Sequence, residues 1–337
     1  MKISGLILVA ITAAYTAATA ATTNVITVRP VDDDATEHLQ AAIDSAGRLA
    51  GKPVEIHLSP GDYHISWYMA AQRCYHISNT ASAEENLDPT KHIGMLFKNM
   101  SDVIVDGHGA RLITCGEMTP WVIDSCENIV IRNLTVTAGD PSVPEMTVTA
   151  ITDSTMTTKV TPPSQYAIDN DGHLVWWGAG WEIDGGIAQI LYPDRGVTLR
   201  CGSPLIESRK VSELSPGELM FHFNKTPPDT RPGDIYQMRH SIRNEVAGLI
   251  NRSRNITLEN LQLQFMGNFG IVAQFSDNIT YRSLTCAPDE ASGRTCAGFA
   301  DFLQLSGCRG KVIIEGCNFS GSQDDPINIH GTHLSVV

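Results

Sequence analysis

Short runs of alternating apolar and polar residues recur along this chain with one grammar. Ser101–Ile113 (SDVIVDGHGARLI), Glu127–Thr137 (ENIVIRNLTVT), Arg254–Leu263 (RNITLENLQL), Asp277–Cys286 (DNITYRSLTC) and Gly310–Phe319 (GKVIIEGCNF) share it. Each starts on a turn residue, continues as a short β-branched strand, breaks at Asn, Gly or Ser, and ends on a second apolar pair. Ile256 and Ile279 are 23 residues apart, Ile104 and Val130 26. A repeat in the low twenties built from tiny strands predicts a parallel β-helix whose coils stack about 4.8 Å apart. Asn at the corners tolerates a left-handed backbone and can stack on its neighbours. The same Asn explain several of the N-x-[ST] sequons, which read as corner Asn followed by strand Thr.

The period changes at two places. Leu39, Ala42, Ile43, Ala46 and Leu49 lie at helical spacing, and Asp34 or Thr36 can start that helix. A strand over Pro53–Leu58 and a tight turn at Pro60-Gly61-Asp62-Tyr63 follow. The helix is expected to cap the open end of the solenoid. Between Ala138 and Glu245 the coil grammar disappears among Pro-rich punctuation, and runs such as Met146–Ile151 and Val197–Cys201 keep another spacing. The fold class expected is all-β: a right-handed parallel β-helix with an N-terminal capping helix and an inserted antiparallel β region. Residues 21–137 form the cap and first coils, 138–245 the insertion, and 246–337 the later coils. Leu334-Ser335-Val336-Val337 are strand-like, so further coils are expected beyond them.

Met1-Lys2, the apolar run to Ala18 and Ala18-Thr19-Ala20 fit a secretory leader over residues 1–20, so the protein is expected to be exported to the periplasm, cell surface or medium. No later apolar run is long enough for a membrane span. The whole chain has 337 residues, is 42% apolar and 18% charged, and carries a formal charge of −13, which argues against disorder and against nucleic-acid binding. Its eight Cys show no zinc spacing, and no disulfide is assigned, although Cys286 with Cys296 and Cys308 with Cys317 are the most closely spaced pairs. Neither a cofactor nor a metal is expected. Oligomeric state is not legible.

The last coils align on their own pattern. Gly270–Ser276 is matched with Ala300–Ser306, and that with Asp324–His330. In this register Ala273/Phe275, Leu303/Leu305 and Ile327/Ile329 point inward, while Gln274, Gln304 and Asn328 form an outward ladder. Asp301 then lies one coil from Asp324-Asp325. Like charges that close raise at least one pKa, the division of labour glycoside hydrolysis needs. Strict alternation would turn Asp301 and Asp325 inward, so a bend must break the parity before each strand. Gln304, Asn328 and His330, outward beside the acids, could bind sugar hydroxyls or merely support the solenoid. Arg239-His240 could reach the sugar or lie in solvent, and Trp176, Trp177 and Trp181 could stack on sugar faces or fill the core of the insertion.

At Asp301 and Ser322-Gln323-Asp324-Asp325 the sequence resembles the pectin-degrading β-helix superfamily, in which polygalacturonases carry an Asp in one coil and Gln-Asp-Asp or a similar pair in the next. Phe299-Ala300-Asp301-Phe302 departs from their Asn-Thr-Asp-Gly. The chain is more similar to glycoside hydrolase family 110, the bacterial α-1,3-galactosidases that act on blood group B and related glycans. That resemblance centres on Ala300-Asp301-Phe302-Leu303-Gln304 followed by Gln323-Asp324-Asp325, and extends from the cap through Asn328-Ile329-His330-Gly331. It implies an exo-acting enzyme that removes terminal α-1,3-linked galactose from an oligosaccharide or glycoconjugate with inversion. By position it implies Asp324 as general acid and Asp301 with Asp325 as the base pair that activates water. Two other classes compete. A pectin-active hydrolase or lyase would, as a lyase, want a cation and a basic side chain, and no Arg or Lys lies in the aligned strands. A non-catalytic glycan-binding β-helix would tolerate Asp→Asn changes.

Overall fold

The computed structural model describes residues 23–49, 51–80, 88–225 and 229–331. The leader read over residues 1–20 and the strand-like run Leu334–Val337 lie outside them. Two parallel sheets stack the coils. One runs Asn24–Val28, Val54–Leu58, Ser101–Cys115, Glu127–Ala138, Arg254–Leu263, Asp277–Arg282 and Arg309–Glu315. The other runs Thr90–Lys98, Thr119–Asp124, Gly248–Asn251, Ile271–Gln274, Leu303–Ser306 and Ile327–His330, with Ala71–Cys74 antiparallel at its edge. This is the expected parallel β-helix.

Its core is a set of stacked columns. Val54, Val103, Ile129, Ile256 and Ile279 are successive partners, and each is at most 1% exposed. Burying each such side chain contributes about 1.5–3 kcal/mol. The corners are polar columns. Asn128, Asn255 and Asn278 all have φ of 56°. Asn255 donates to Asn128 at 2.9 Å and Asn278 to Asn255 at 3.0 Å. Gly310 ends that column because a Cβ there would lie 2.4 Å from Asn278 Oδ1.

The helix spans Thr36–Arg48, and Leu39, Ala42, Ile43 and Ala46 are buried as the stripe requires. Leu49 is not part of that face: it is the C-terminal capping residue and 38% exposed. Ala35 stands at the N-cap, while Asp34 accepts the Thr36 amide from one residue earlier. Gln40 reaches both backbone groups of Leu96, so the helix also satisfies strand polar groups.

Between the coils sits a seven-stranded antiparallel sheet in the order Val197–Cys201, Ile187–Tyr192, Ile235–Arg239, Glu145–Ile151, Thr155–Val160, Glu218–His222, Lys210–Ser215. A small sheet of Gln165–Ile168, Leu174–Gly178 and Trp181–Ile183 accompanies it. Met146, Met156, Trp176, Tyr236 and Met238 give this region a core of its own. Its first and last strands pair, Glu145 opposite Gln237, so the chain enters and leaves at one place. The coils on either side therefore stack directly, with Ile129 against Ile256.

Candidate active site

The acids are placed by strand register and a bend. Gly298 bridges Ser322 and Leu303 pairs Ile327, so Asp301 stacks on Asp325 one coil away. Phe302 and Leu303 are both in the core. Two successive inward residues break the alternation between them and turn Asp301 outward, as the sequence required. The bend is held by backbone bonds from Phe302 N to Asp325 O (3.3 Å) and from Gly270 N to Asp301 O (2.9 Å). Only glycine fits at 270, because a Cβ would lie 2.2 Å from Phe302 O and 2.4 Å from Asp301 O.

Asp301, Asp324 and Asp325 each offer an oxygen within 4.8 Å of the others, a spacing that could also hold a cation. Asp301 is 3% exposed and its Oδ2 has no partner, whereas Asp324 and Asp325 are exposed. Burial, then the charge of Asp324 and more weakly that of Asp325, holds the Asp301 carboxyl above the usual carboxylate range. A hydrogen bond from Asn328 and the charge of Arg243 act in the opposite direction.

The insertion supplies the positive side. Arg239, at the end of its strand, is 4% exposed and lies 4.8 Å above the Phe299 ring. Burial, then the neighbouring charges of Arg243 and Arg200, lowers its pKa to about 10, while Asp324 opposes the shift. Arg200 stands over the same ring at 5.7 Å, and Arg243 over Phe269 at 5.1 Å. No Arg or Lys lies in the aligned coil strands, as expected, yet the acids do have basic neighbours. The arginines come from the insertion and its return segment, which an alignment of coil strands cannot include. A buried ion pair locks the regions together. Glu145 accepts from Arg294 at 3.1 Å and also takes the Thr295 and Cys296 amides.

Several curated proteins are similar to this chain in sequence. An α-1,3-galactosidase A of Bacteroides thetaiotaomicron is 41% identical over 317 residues, covering 94% of this chain and 56% of its own. The chain belongs to the α-1,3-galactosidase family. The α-1,3-galactosidase A of Streptomyces avermitilis is 34% identical over 319 residues, covering 90% of this chain and 51% of its own. An α-1,3-galactosidase B of B. thetaiotaomicron is 28% identical over 304 residues, covering 89% and 48%. The chain spans about half the length of the curated relatives it matches. No family model matches the sequence.

Within this family member, the other residues singled out from sequence divide sharply. Asn328 is brought to the acids, since it bonds Asp301. Arg239 reaches them through its charge, but its guanidinium donates to the His240 and Ser241 carbonyls. Gln304 does not face the site. It is 1% exposed, and the segment around Ser78-Asn79 lies across it: Asn79 donates to its Oε1 and its Nε2 donates to Ser78 O. Gln274 is covered by the same segment through Ser78 N and His76 O. The ladder is therefore structural. Its register also differs from that expected, because Gln274 pairs Ser306 and Val272 pairs Gln304. Phe275, expected inward, is 45% exposed with φ of 52°. Ile327 and Ile329 continue the inward columns of Leu303 and Leu305 but are 37% and 66% exposed. His330, five residues beyond Asp325 along an extended strand, stands on the order of 16 Å from it, with Nδ1 against Gly331 O.

Sequence reasoning missed Arg200, Arg243 and Phe299. Arg243 alone had a local signal, lying in the short return to the first resumed coil. Trp176 is buried in the core of the insertion, while Trp177 is 43% exposed. All eight Cys are free, with Cys126, Cys286 and Cys296 buried.

Proposed function

We propose that the protein is an exported glycoside hydrolase that removes terminal α-1,3-linked galactose from glycans of the blood group B type, with inversion, through Asp301, Asp324 and Asp325. The observation that carries this reading is the trio itself. Three carboxylates from two adjacent coils meet at one bend, one of them buried with an unpartnered oxygen, beside arginines from another region. The names of the relatives supply the bond type.

In this mechanism Asp301 and Asp325, stacked one above the other, share the water. Asp325 takes the proton of the attacking water, while burial first, and then the charges of Asp324 and Asp325, holds the Asp301 carboxyl above its usual range. Asp324, exposed in its bend, protonates the leaving oxygen. Inverting enzymes usually separate acid and base by about 6.5–9.5 Å. The trio's closest oxygens are nearer than that, so Asp324 must swing outward on the bound sugar. Arg239 and Arg243 offset part of the negative charge that gathers where the three carboxylates meet.

The test is incubation with blood group B trisaccharide, linear α-1,3-digalactoside and polygalacturonate, with and without EDTA, with the released sugar followed by proton NMR. Free galactose appearing first as the β-anomer, insensitive to EDTA, is expected. Galactose appearing first as the α-anomer overturns inversion. Unsaturated or oligogalacturonate products, or no product, overturn the galactosidase reading.

A further inference from the structure

A cavity of about 230 Å³ lies where the inserted region meets the coils. Trp181 comes from the small sheet, Glu117 and Asn268 from turns of the coils, Ser142 from the loop that leaves them for the insertion, and His240 and Asn244 from the return segment. Strand register fixes its place relative to the acids. Phe299 N bonds Gly267 O and Gly270 N bonds Asp301 O, so Asn268 stacks beside Ala300. Ala300 in turn stacks beside Asp324, given the Gly298–Ser322 bridge. Asn268 is thus two coil spacings from Asp324, about 9.6 Å. The return segment connects both places: Arg239 and Arg243 act on the acids, while His240 and Asn244 line the cavity.

The lining has the chemistry of a sugar site. Asn268 is 4% exposed, yet its Oδ1 has no partner. A buried carbonyl oxygen left that way costs about 1–3 kcal/mol unless something donates to it. Burial, then the charge of Glu245, raises the Glu117 carboxyl to about 7, so near neutral pH it can either donate or accept. Trp181 adds an aromatic wall with a polar edge. The volume lies just below the roughly 300–1,000 Å³ of drug-sized pockets, which suits one ring. Glu117 and Glu182 on the wall, with Glu245 in the small adjoining cavity, disfavour an anionic ligand.

We propose that this cavity is a subsite for a neutral sugar ring of the leaving glycan, one unit beyond the ring attached to the departing galactose, with Asn268 and His240 bonding its hydroxyls. It rests on the galactosidase reading above. Its span suits the second ring of the leaving portion, because the first stays beside Asp324. The cavity would therefore set preference for long over short substrates.

The experiment compares wild type, Asn268→Ala and His240→Ala on an aryl α-galactoside, whose leaving group stops short of the cavity, and on an α-1,3-galactosyl trisaccharide. Thermal melts confirm folding. Asn268→Ala is expected to lower kcat/KM for the trisaccharide about tenfold, the effect of one lost hydrogen bond of about 1.4 kcal/mol, and to change the aryl substrate less than twofold. His240→Ala is expected to have a smaller effect of the same selectivity. Equal losses on both substrates, or none on either, overturn the subsite. If wild type cleaves neither, the galactosidase reading has failed. Calorimetric titration with lactose and N-acetyllactosamine then decides the cavity separately, with binding that weakens in Asn268→Ala supporting it and equal binding, or none, overturning it.

Discussion

The stacked coils and the inserted sheet solve the same problem of burying strands by different means. In the coils every column repeats, so Val54, Val103, Ile129, Ile256 and Ile279 do the same job in turn, and Asn128, Asn255 and Asn278 close the same corner. The inserted sheet has no repeat, and its core is an irregular set of Met, Trp, Tyr and Phe. The division extends to the site. The coils contribute the acids, held by backbone register. The insertion contributes Arg200 and Arg239, held by packing against Phe299. A repetitive scaffold sets spacing accurately along its axis, and a non-repetitive one can bring opposite charge in from the side.

This contrast can be broken at either end. The largest effect is expected from the coil acids. Asp301→Asn, Asp324→Asn and Asp325→Asn should each lower kcat by about 10²–10⁴-fold, measured as galactose release, with melting temperatures near wild type. Arg239→Met should lower kcat by less than any of them, because its charge acts on the acids from a distance. Loss of activity equal to that of the Asp variants would make the insertion a partner in the chemistry rather than a support.

The next effect falls on the lock between the regions. Glu145→Ala leaves Arg294, 7% exposed at its side chain, without its carboxylate. Removing one partner of a buried pair costs about 3–5 kcal/mol. Chemical denaturation should show that loss, with the insertion and the coils separating into two transitions. A single unchanged transition would show that the interface is held elsewhere.

Glu117 provides a pH-dependent test between the regions. Its pKa is raised to about 7 from 4.5. The folded protein therefore binds this proton more tightly than the unfolded chain. The site costs nothing below pH 4.5, its cost builds as pH rises from 4.5 to about 7, and it is complete above that. Glu117→Gln is expected to leave stability unchanged at pH 4 and to raise it by up to about 3 kcal/mol at pH 8, read from denaturation at both pH values. Stabilisation at pH 4 alone would reverse the sign.

The smallest effect is steric. Gly270→Ala pushes a methyl group into the carbonyls of Asp301 and Phe302. A cost of about 1–3 kcal/mol is expected, together with a fall in kcat, because Asp301 moves with its backbone. A lower melting temperature with unchanged kcat would separate the bend from the chemistry.

The difference between the regions also explains what could be read from sequence. The coils were legible because each Ile, Val and Asn appears several times in the same setting, and the Asp301–Asp325 stack followed from aligning two neighbouring coils. The alignment failed one coil earlier. There the spacing from Ile271 to Leu303 is longer than in the neighbouring coils, and matching Gln274 with Gln304 shifted the register by two residues. Gln304 was misread for a second reason: its direction out of the core was correct, but the segment that covers it comes from Ser78 and Asn79, 225 residues away from it in the case of Asn79. Arg200 and Phe299 meet by tertiary packing alone, and no local pattern announces such a pair.

The direct stacking of Ile129 on Ile256 has a consequence for the order in which the chain can fold. Asn128 and Asn255 are 127 residues apart, against 26 for Asp102 and Asn128 in the preceding step. Closing the longer span as flexible chain would cost about 1.4 kcal/mol more, from the logarithmic growth of loop entropy. Pairing of Glu145–Ile151 with Ile235–Arg239 removes most of that difference, because it joins the two ends of the insertion. If the antiparallel sheet closes first, the next coil has only a short gap to cross. Formation of the sheet then becomes the gate through which the solenoid grows, and a mutation that unpairs Glu145–Ile151 from Ile235–Arg239 should slow refolding of the later coils.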